Sequence, residues 1–117
     1  FKDDNSNIVK YYDIVYAPVI GEVTFDTATA GKISANVVIN NKSNLNMYKN
    51  AKLIIASYDN SGAGKKLTAV DVYAVSNMTV GENNLKATID FDSSNEIVAY
   101  LWKANNTPYC EAIPYIG

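Results

Sequence analysis

An all-β fold of packed antiparallel sheets is predicted by three observations on these 117 residues. Beyond Pro18, apolar and polar residues alternate with a period of two. Clusters of Asn, Asp, Ser and Gly break that alternation at short intervals. No window of about 11 residues carries the apolar stripe of a helix.

The elements follow in order. Phe1 to Ala17 opens with Asp3-Asp4-Asn5-Ser6-Asn7, polar and without periodicity, and is expected to be a linker or extended N-terminal segment. The domain is expected to run from 18 to 117. Val19, Val23 and Phe25 share one face of a first strand. Ile33, Ala35, Val37 and Ile39 alternate with Ser34 and Asn36 in a second, which Asn40-Asn41 is expected to stop. In the connection from Lys42 to Asn50, Leu45, Met47 and Tyr48 are expected to cap one end of the core. Leu53-Ile54-Ile55-Ala56 is apolar on both faces, as a central strand is. Asp59-Asn60-Ser61-Gly62-Ala63-Gly64 is the strongest turn in the chain. Leu67 to Val75 makes the next strand, with a break near Ser76-Asn77. A turn through Val80 to Asn84 leads into Leu85, Ala87, Ile89 and Phe91. Glu96 to Trp102 and a last strand at Tyr109 to Ile113, between two prolines, complete the set. Seven strands without room for crossover helices predict an immunoglobulin-like antiparallel β-sandwich.

Composition narrows the chemistry. The formal charge is −2, with no histidine and a single cysteine, Cys110. That balance lacks the basic footprint of a nucleic-acid or anionic-lipid binder, and no apolar run is long enough to span a membrane as a helix. One cysteine excludes an internal disulfide, and without histidine the Ser-His and Cys-His arrangements cannot form. Cys110 itself is expected to be a small buried hydrophobe. No catalytic residues are assigned, and the chain is expected not to be an enzyme.

Three stretches in order and spacing carry a family resemblance: Lys52-Leu53-Ile54-Ile55-Ala56-Ser57-Tyr58-Asp59-Asn60, Val38-Ile39-Asn40-Asn41-Lys42-Ser43, and Ile97-Val98-Ala99-Tyr100-Leu101-Trp102 with Pro108-Tyr109-Cys110. Together they resemble an immunoglobulin-like or fibronectin-III-like sandwich module. That module is appended to secreted glycoside hydrolases and cell-surface proteins of clostridia and related Gram-positive bacteria. The acidic residue usual after the tryptophan is Lys103 here, and the loop from Trp102 to Pro108 is about two residues short. The resemblance implies a non-catalytic accessory domain, a spacer or docking block, outside the cell. Its partners would be neighbouring domains of the same polypeptide, with a polysaccharide as the other option and neither nucleic acid nor membrane insertion.

Two groups of residues remain as candidate sites. If Ile97, Ala99 and Leu101 point inward, Val98, Tyr100 and Trp102 share the outer face. Tyr100 and Trp102, with Tyr58 from a neighbouring strand, would then form a short platform of the kind on which pyranose rings stack. The competing readings of the same rings are a minor packed cluster and a docking patch for another domain. Asp90, Asp92 and Glu96 supply oxygens of the type calcium prefers, although such residues also form turns without any ion. Otherwise no cofactor is expected.

Overall fold

The computed structural model describes residues 18–43, 49–103 and 108–116. The expected N-terminal segment, and the expected caps Leu45, Met47 and Tyr48, lie outside the described residues. Among the described residues no helix forms, and eight strands build two antiparallel sheets. They are β1 (Val19–Ile20), β2 (Thr24–Asp26), β3 (Lys32–Asn41), β4 (Ala51–Asp59), β5 (Lys66–Val75), β6 (Gly81–Asp90), β7 (Glu96–Trp102) and β8 (Ile113–Pro114). In one sheet β3 lies between β6 and the consecutive pieces β1 and β2. The other runs β5-β4-β7-β8.

The first expected strand is therefore present but split. Val19 and Ile20 face Asn40 and Ile39, while Thr24 to Asp26 face Asn36 to Ser34. At the break, the Gly21 N–H donates to the Val38 carbonyl at 2.8 Å. A Cβ built on Gly21 would lie 2.8 Å from that same oxygen, so only glycine lets the backbone come this close.

Alternation delivers the core. Ile33, Ala35, Val37 and Ile39 of β3 meet Leu85, Ala87 and Ile89 of β6. From the other sheet come Ala51, Leu53 and Ile55 of β4 and Ile97, Ala99 and Leu101 of β7, all buried. Each large aliphatic fully buried this way contributes on the order of 1.5–3 kcal/mol. Met78, just before β6, fills one end of this core. At the side of the sandwich, the Asp71 carboxylate of β5 accepts the Thr88 N–H of β6 at 2.9 Å. This satisfies a donor on an open strand edge and blunts that edge against foreign strands.

β3 ends at Asn41, the stop that was expected, and three other expectations need correction. The Asn41 side chain is fully buried and donates to the Met78 carbonyl at 3.3 Å, so this asparagine pins the strand end. β6 starts at Gly81, not after Asn84. The Asn83 amide donates to the carbonyls of Thr79 (2.9 Å) and Gly81 (3.0 Å), and Gly81 turns at φ 106°, which compresses the turn. The last strand is Ile113–Pro114 rather than Tyr109 to Ile113. The Tyr109 N–H bonds Leu101 while its hydroxyl donates to the Asn50 carbonyl at 3.2 Å, so Tyr109 closes the end of the body. Cys110 is exposed, not buried, because the chain has left the ladder there.

The two ends of the sandwich are distinct. Asn41 bonds Met78, Met78 bonds Lys49, and Tyr109 bonds Asn50, which gathers Val19, opposite Asn40, with Trp102, opposite Lys52, at one end. Tyr115 lies at the other, its N–H on the Ile97 carbonyl and its ring edge-on to Phe25 (5.3 Å) and Phe91 (5.7 Å). Val19 and Tyr115 thus lie at opposite ends of the body.

Candidate functional site

The two outer faces differ in chemistry. On the β3–β6 sheet the outward residues include Ser34, Asn36, Val38, Asn40, Asn84, Lys86, Thr88 and Asp90, a largely polar set in which Ser34 is buried and Val38 is exposed. On the β5-β4-β7-β8 sheet, pairing register lays apolar rows across the strands. Val72, Ile54 and Tyr100 form one row; Val70, Ala56, Val98 and Pro114 form the next. Ala74, Lys52 and Trp102 form the third. Val70 and Val72 are 51 % and 49 % exposed, and Lys52 is the only charged residue in these rows.

The expected parity of β7 holds. Ile97, Ala99 and Leu101 are at most 1 % exposed, and Tyr100 and Trp102 point the other way, half-buried. Val98 shares their face but is buried. The rings of Tyr100 and Trp102 are 5.9 Å apart and inclined at 54°. Tyr58, at the end of β4, joins them through a 2.9 Å hydrogen bond between its hydroxyl and that of Tyr100. Lys65 sits 5.4 Å from the centre of the Tyr58 ring and pairs with Glu96 at 2.9 Å. Strand alternation and register therefore bring all three expected aromatic residues together. Their inclination does not give one flat platform, and the two hydroxyls are directed at each other.

Sequence reading had not placed Val70, Val72 and Leu67 on this face. The alternation in Leu67 to Val75 carried the signal, but only the β4–β5 register shows that its aliphatics flank Ile54 and Ala56.

The three carboxylates considered for calcium have separate partners. Asp90 pairs with Lys32 across the β3–β6 ladder. Asp92 accepts the Ser94 N–H (3.0 Å) and hydroxyl (2.7 Å) and so closes its own turn. Glu96 accepts from Asn60 (3.0 Å) and Lys65. Among the described residues no three acidic or cysteine side chains come together in a group that would hold a metal ion. Hydrogen bonds from Ser94 hold Asp92 below the ordinary carboxylate range, and those from Asn60 and then Lys65 do the same for Glu96.

Tyr100 is the most perturbed acid on the face. Burial first, then its bond to the Tyr58 hydroxyl, the Tyr58 charge and that of Glu96, push its pKa up to about 12. A phenol whose native pKa lies above its unfolded value of about 10 stabilises the fold fully below pH 10, and that contribution is lost as pH rises toward 12. Ultraviolet titration should therefore show a late-ionising tyrosine near pH 12, and Tyr58→Phe should move it downward without restoring the ordinary value, since burial remains. A titration in which every tyrosine ionises near pH 10 in the folded protein would contradict this arrangement.

Fold and surface together define an all-β sandwich with one polar and one apolar outer face. No family model matches the chain, and no curated protein matches it. Among solved structures it is similar to β-glucosidase 3B from Thermotoga neapolitana, determined in complex with glycerol, at a TM-score of 0.43 and 10 % sequence identity. The superposition covers 93 % of this chain and 19 % of the β-glucosidase chain, so this chain spans about one fifth of that protein's length. A likeness at this level carries no argument about activity.

Proposed function

We propose that this chain is a non-catalytic accessory module, a rigid spacer within an extracellular or cell-surface bacterial protein that degrades polysaccharide. The observation that carries the reading is the opposed placing of the first and last described strands, β1 and β8. With Val19 at one end of the body and Tyr115 at the other, flanking polypeptide is held apart by a two-sheet block with a dry core. The strand order supports an immunoglobulin-like, fibronectin-III-like type. After β4 and β5 cross to the second sheet, β6 returns to pair with β3, and β7 goes back beside β4. The link to polysaccharide degradation rests on the ordered sequence resemblance described above. The composition supports a passive role, because the chain holds no histidine, the usual proton carrier at neutral pH.

The test uses the longer polypeptide that contains this chain, with the block replaced by a Gly/Ser linker of equal residue count. Hydrolysis of a small soluble glycoside should be unchanged, while activity on insoluble polymer should fall as the flanking parts lose their fixed separation. Equal activity of both forms on both substrates would overturn the spacer reading.

One observation favours a second reading, a carbohydrate-binding module, namely the adjacent half-exposed rings of Tyr100 and Trp102. The spacer reading expects neither the wild type nor Trp102→Ala to be retarded in affinity electrophoresis through xylan, cellulose derivatives or chitin derivatives. Retardation of the wild type that Trp102→Ala abolishes would establish the second reading instead.

A further inference from the structure

We propose that the end of the sandwich beside Trp102 holds a binding site for an acidic polysaccharide, one whose pyranose units carry carboxylates, gripped by Lys52 and Lys103. A cavity of about 210 Å³ lies there. Lys52 and Lys103 line it together with the Asn50 amide, the Ser76 hydroxyl and the apolar Ala74 and Val75. None of the lining residues is acidic, although the chain as a whole carries a net charge of −2. Glu82, on the other sheet opposite Asn40, and Glu111, beyond Tyr109, do not line the cavity.

Both ammonium groups are held in place by the fold. Lys52 is half-buried on the outer face, between Ala74 and Trp102 in a cross-strand row. Lys103 stands 5.4 Å from the centre of the Tyr109 ring, and the Tyr109 hydroxyl donates to the Asn50 carbonyl at 3.2 Å. That chain of contacts ties the second ammonium to the cavity wall. Two like charges around one concavity, with no acid among its walls, attract an anion.

Three features select a carboxylated sugar as that anion. The volume equals about seven waters at about 30 Å³ each, room for one sugar ring and its carboxylate. The lining is mixed: Asn50 and Ser76 can bond hydroxyls, while Ala74 and Val75 accept the C–H face of a ring. Trp102 pairs with Lys52 one strand spacing away, about 4.8 Å, and its half-exposed indole offers a surface to the next ring of a polymer. An acidic peptide has no such rings, and a nucleic acid calls for a wider basic footprint than two lysines. The site goes beyond the spacer reading and does not depend on it, since a block that separates its flanks can also grip a polymer at one end. A neutral polymer offers these lysines no charge, so the absence of retardation that the spacer reading expects there is compatible with this site.

The test is affinity electrophoresis of the full chain through polygalacturonate, neutral galactan and poly-glutamate. Retardation is expected in polygalacturonate alone, and it should weaken as salt rises from about 0.1 M to 1 M and the Debye length falls from about 10 Å to 3 Å. Lys52→Gln and Lys103→Ala should each weaken it several-fold. Lys86→Ala, on the outer face of the other sheet, removes the same charge and should leave it unchanged. Circular dichroism would verify the fold of each variant. Should Lys52→Gln fail to fold, the exposed Lys103 carries the same expectation alone. No retardation in polygalacturonate would overturn the proposal. So would equal retardation in poly-glutamate, which would assign binding to charge without a sugar ring, or an equal loss from Lys86→Ala, which would assign it to the overall charge of the chain.

Discussion

Leu101→Ala is expected to lower stability by about 2–5 kcal/mol, the range for a large buried aliphatic truncated where its surroundings relax only in part. Leu101 is fully buried on β7, opposite Leu53 of β4, in the contact layer between the sheets. Truncation removes its transfer free energy and leaves a cavity lined by residues fixed on two sheets. Those residues cannot collapse into the space without breaking their ladders. Against a typical domain stability of about 5–15 kcal/mol, this is a large fraction. The midpoint of thermal unfolding should fall by roughly 8–20 °C, at about 4 °C per kcal/mol for a domain of this size. Leu101→Met, which keeps most of the volume, should cost under about 1.5 kcal/mol. Equal losses for the two variants would show that packing around Leu101 is not what the burial indicates.

Gly21→Ala is expected to cost about 1–3 kcal/mol, the range for forced overpacking, although it adds one methyl group at the surface of an edge strand. The reason is the 2.8 Å separation between the new Cβ and the Val38 carbonyl oxygen, a backbone atom of the central strand β3. A side chain could rotate away, but this oxygen already accepts the Gly21 N–H. The edge must therefore move off β3, weakening the pairings at Val19–Ile20 and Thr24–Asp26 together. Gly62→Ala provides the contrast. A Cβ there meets nothing within 4 Å, so substitution in that turn should change stability by no more than about 0.5 kcal/mol. Denaturant unfolding of both variants checks the pair, and comparable losses would contradict the close approach at Gly21.

Much of this architecture was legible because strand parity is a local property. In Leu85 to Phe91 polar residues separate apolar ones strictly, and in Ile33 to Ile39 they do so except at Val38. Period-two alternation admits only one face toward a core, so these strands were placed with their sides correct. The same reasoning set Tyr100 and Trp102 outward, because Ile97, Ala99 and Leu101 had to be inside. Where the reading failed, a side chain made a bond that periodicity does not encode. Asn41 and Asn83 read as turn formers, yet one is a buried strand-end anchor and the other ties a turn shorter than expected. Tyr109 read as a strand residue, yet its hydroxyl reaches Asn50, 59 positions away, and draws the chain off the ladder.

The candidate site was half legible. Its three aromatic residues were foreseen as neighbours, but the hydroxyl-to-hydroxyl bond between Tyr58 and Tyr100 and the 54° inclination of Tyr100 to Trp102 depend on register between distant strands. The same holds for the aliphatic surround. Val70 and Val72 lie beside Ala56 and Ile54 only because β5 pairs with β4 in the observed register, with a bulge at Ser57–Tyr58.

By itself, then, the order of residues determined the class of fold, the identity of the core and the face each ring takes, since all three follow from alternation within single strands. Tertiary structure decided which strands are neighbours, that Val19 and Tyr115 take opposite ends, and that one outer face is apolar while the other is largely polar. These are non-local outcomes. They follow from loop closure and from burying two sheets against each other, and the free energy that selects among pairings is shared by residues far apart in the chain.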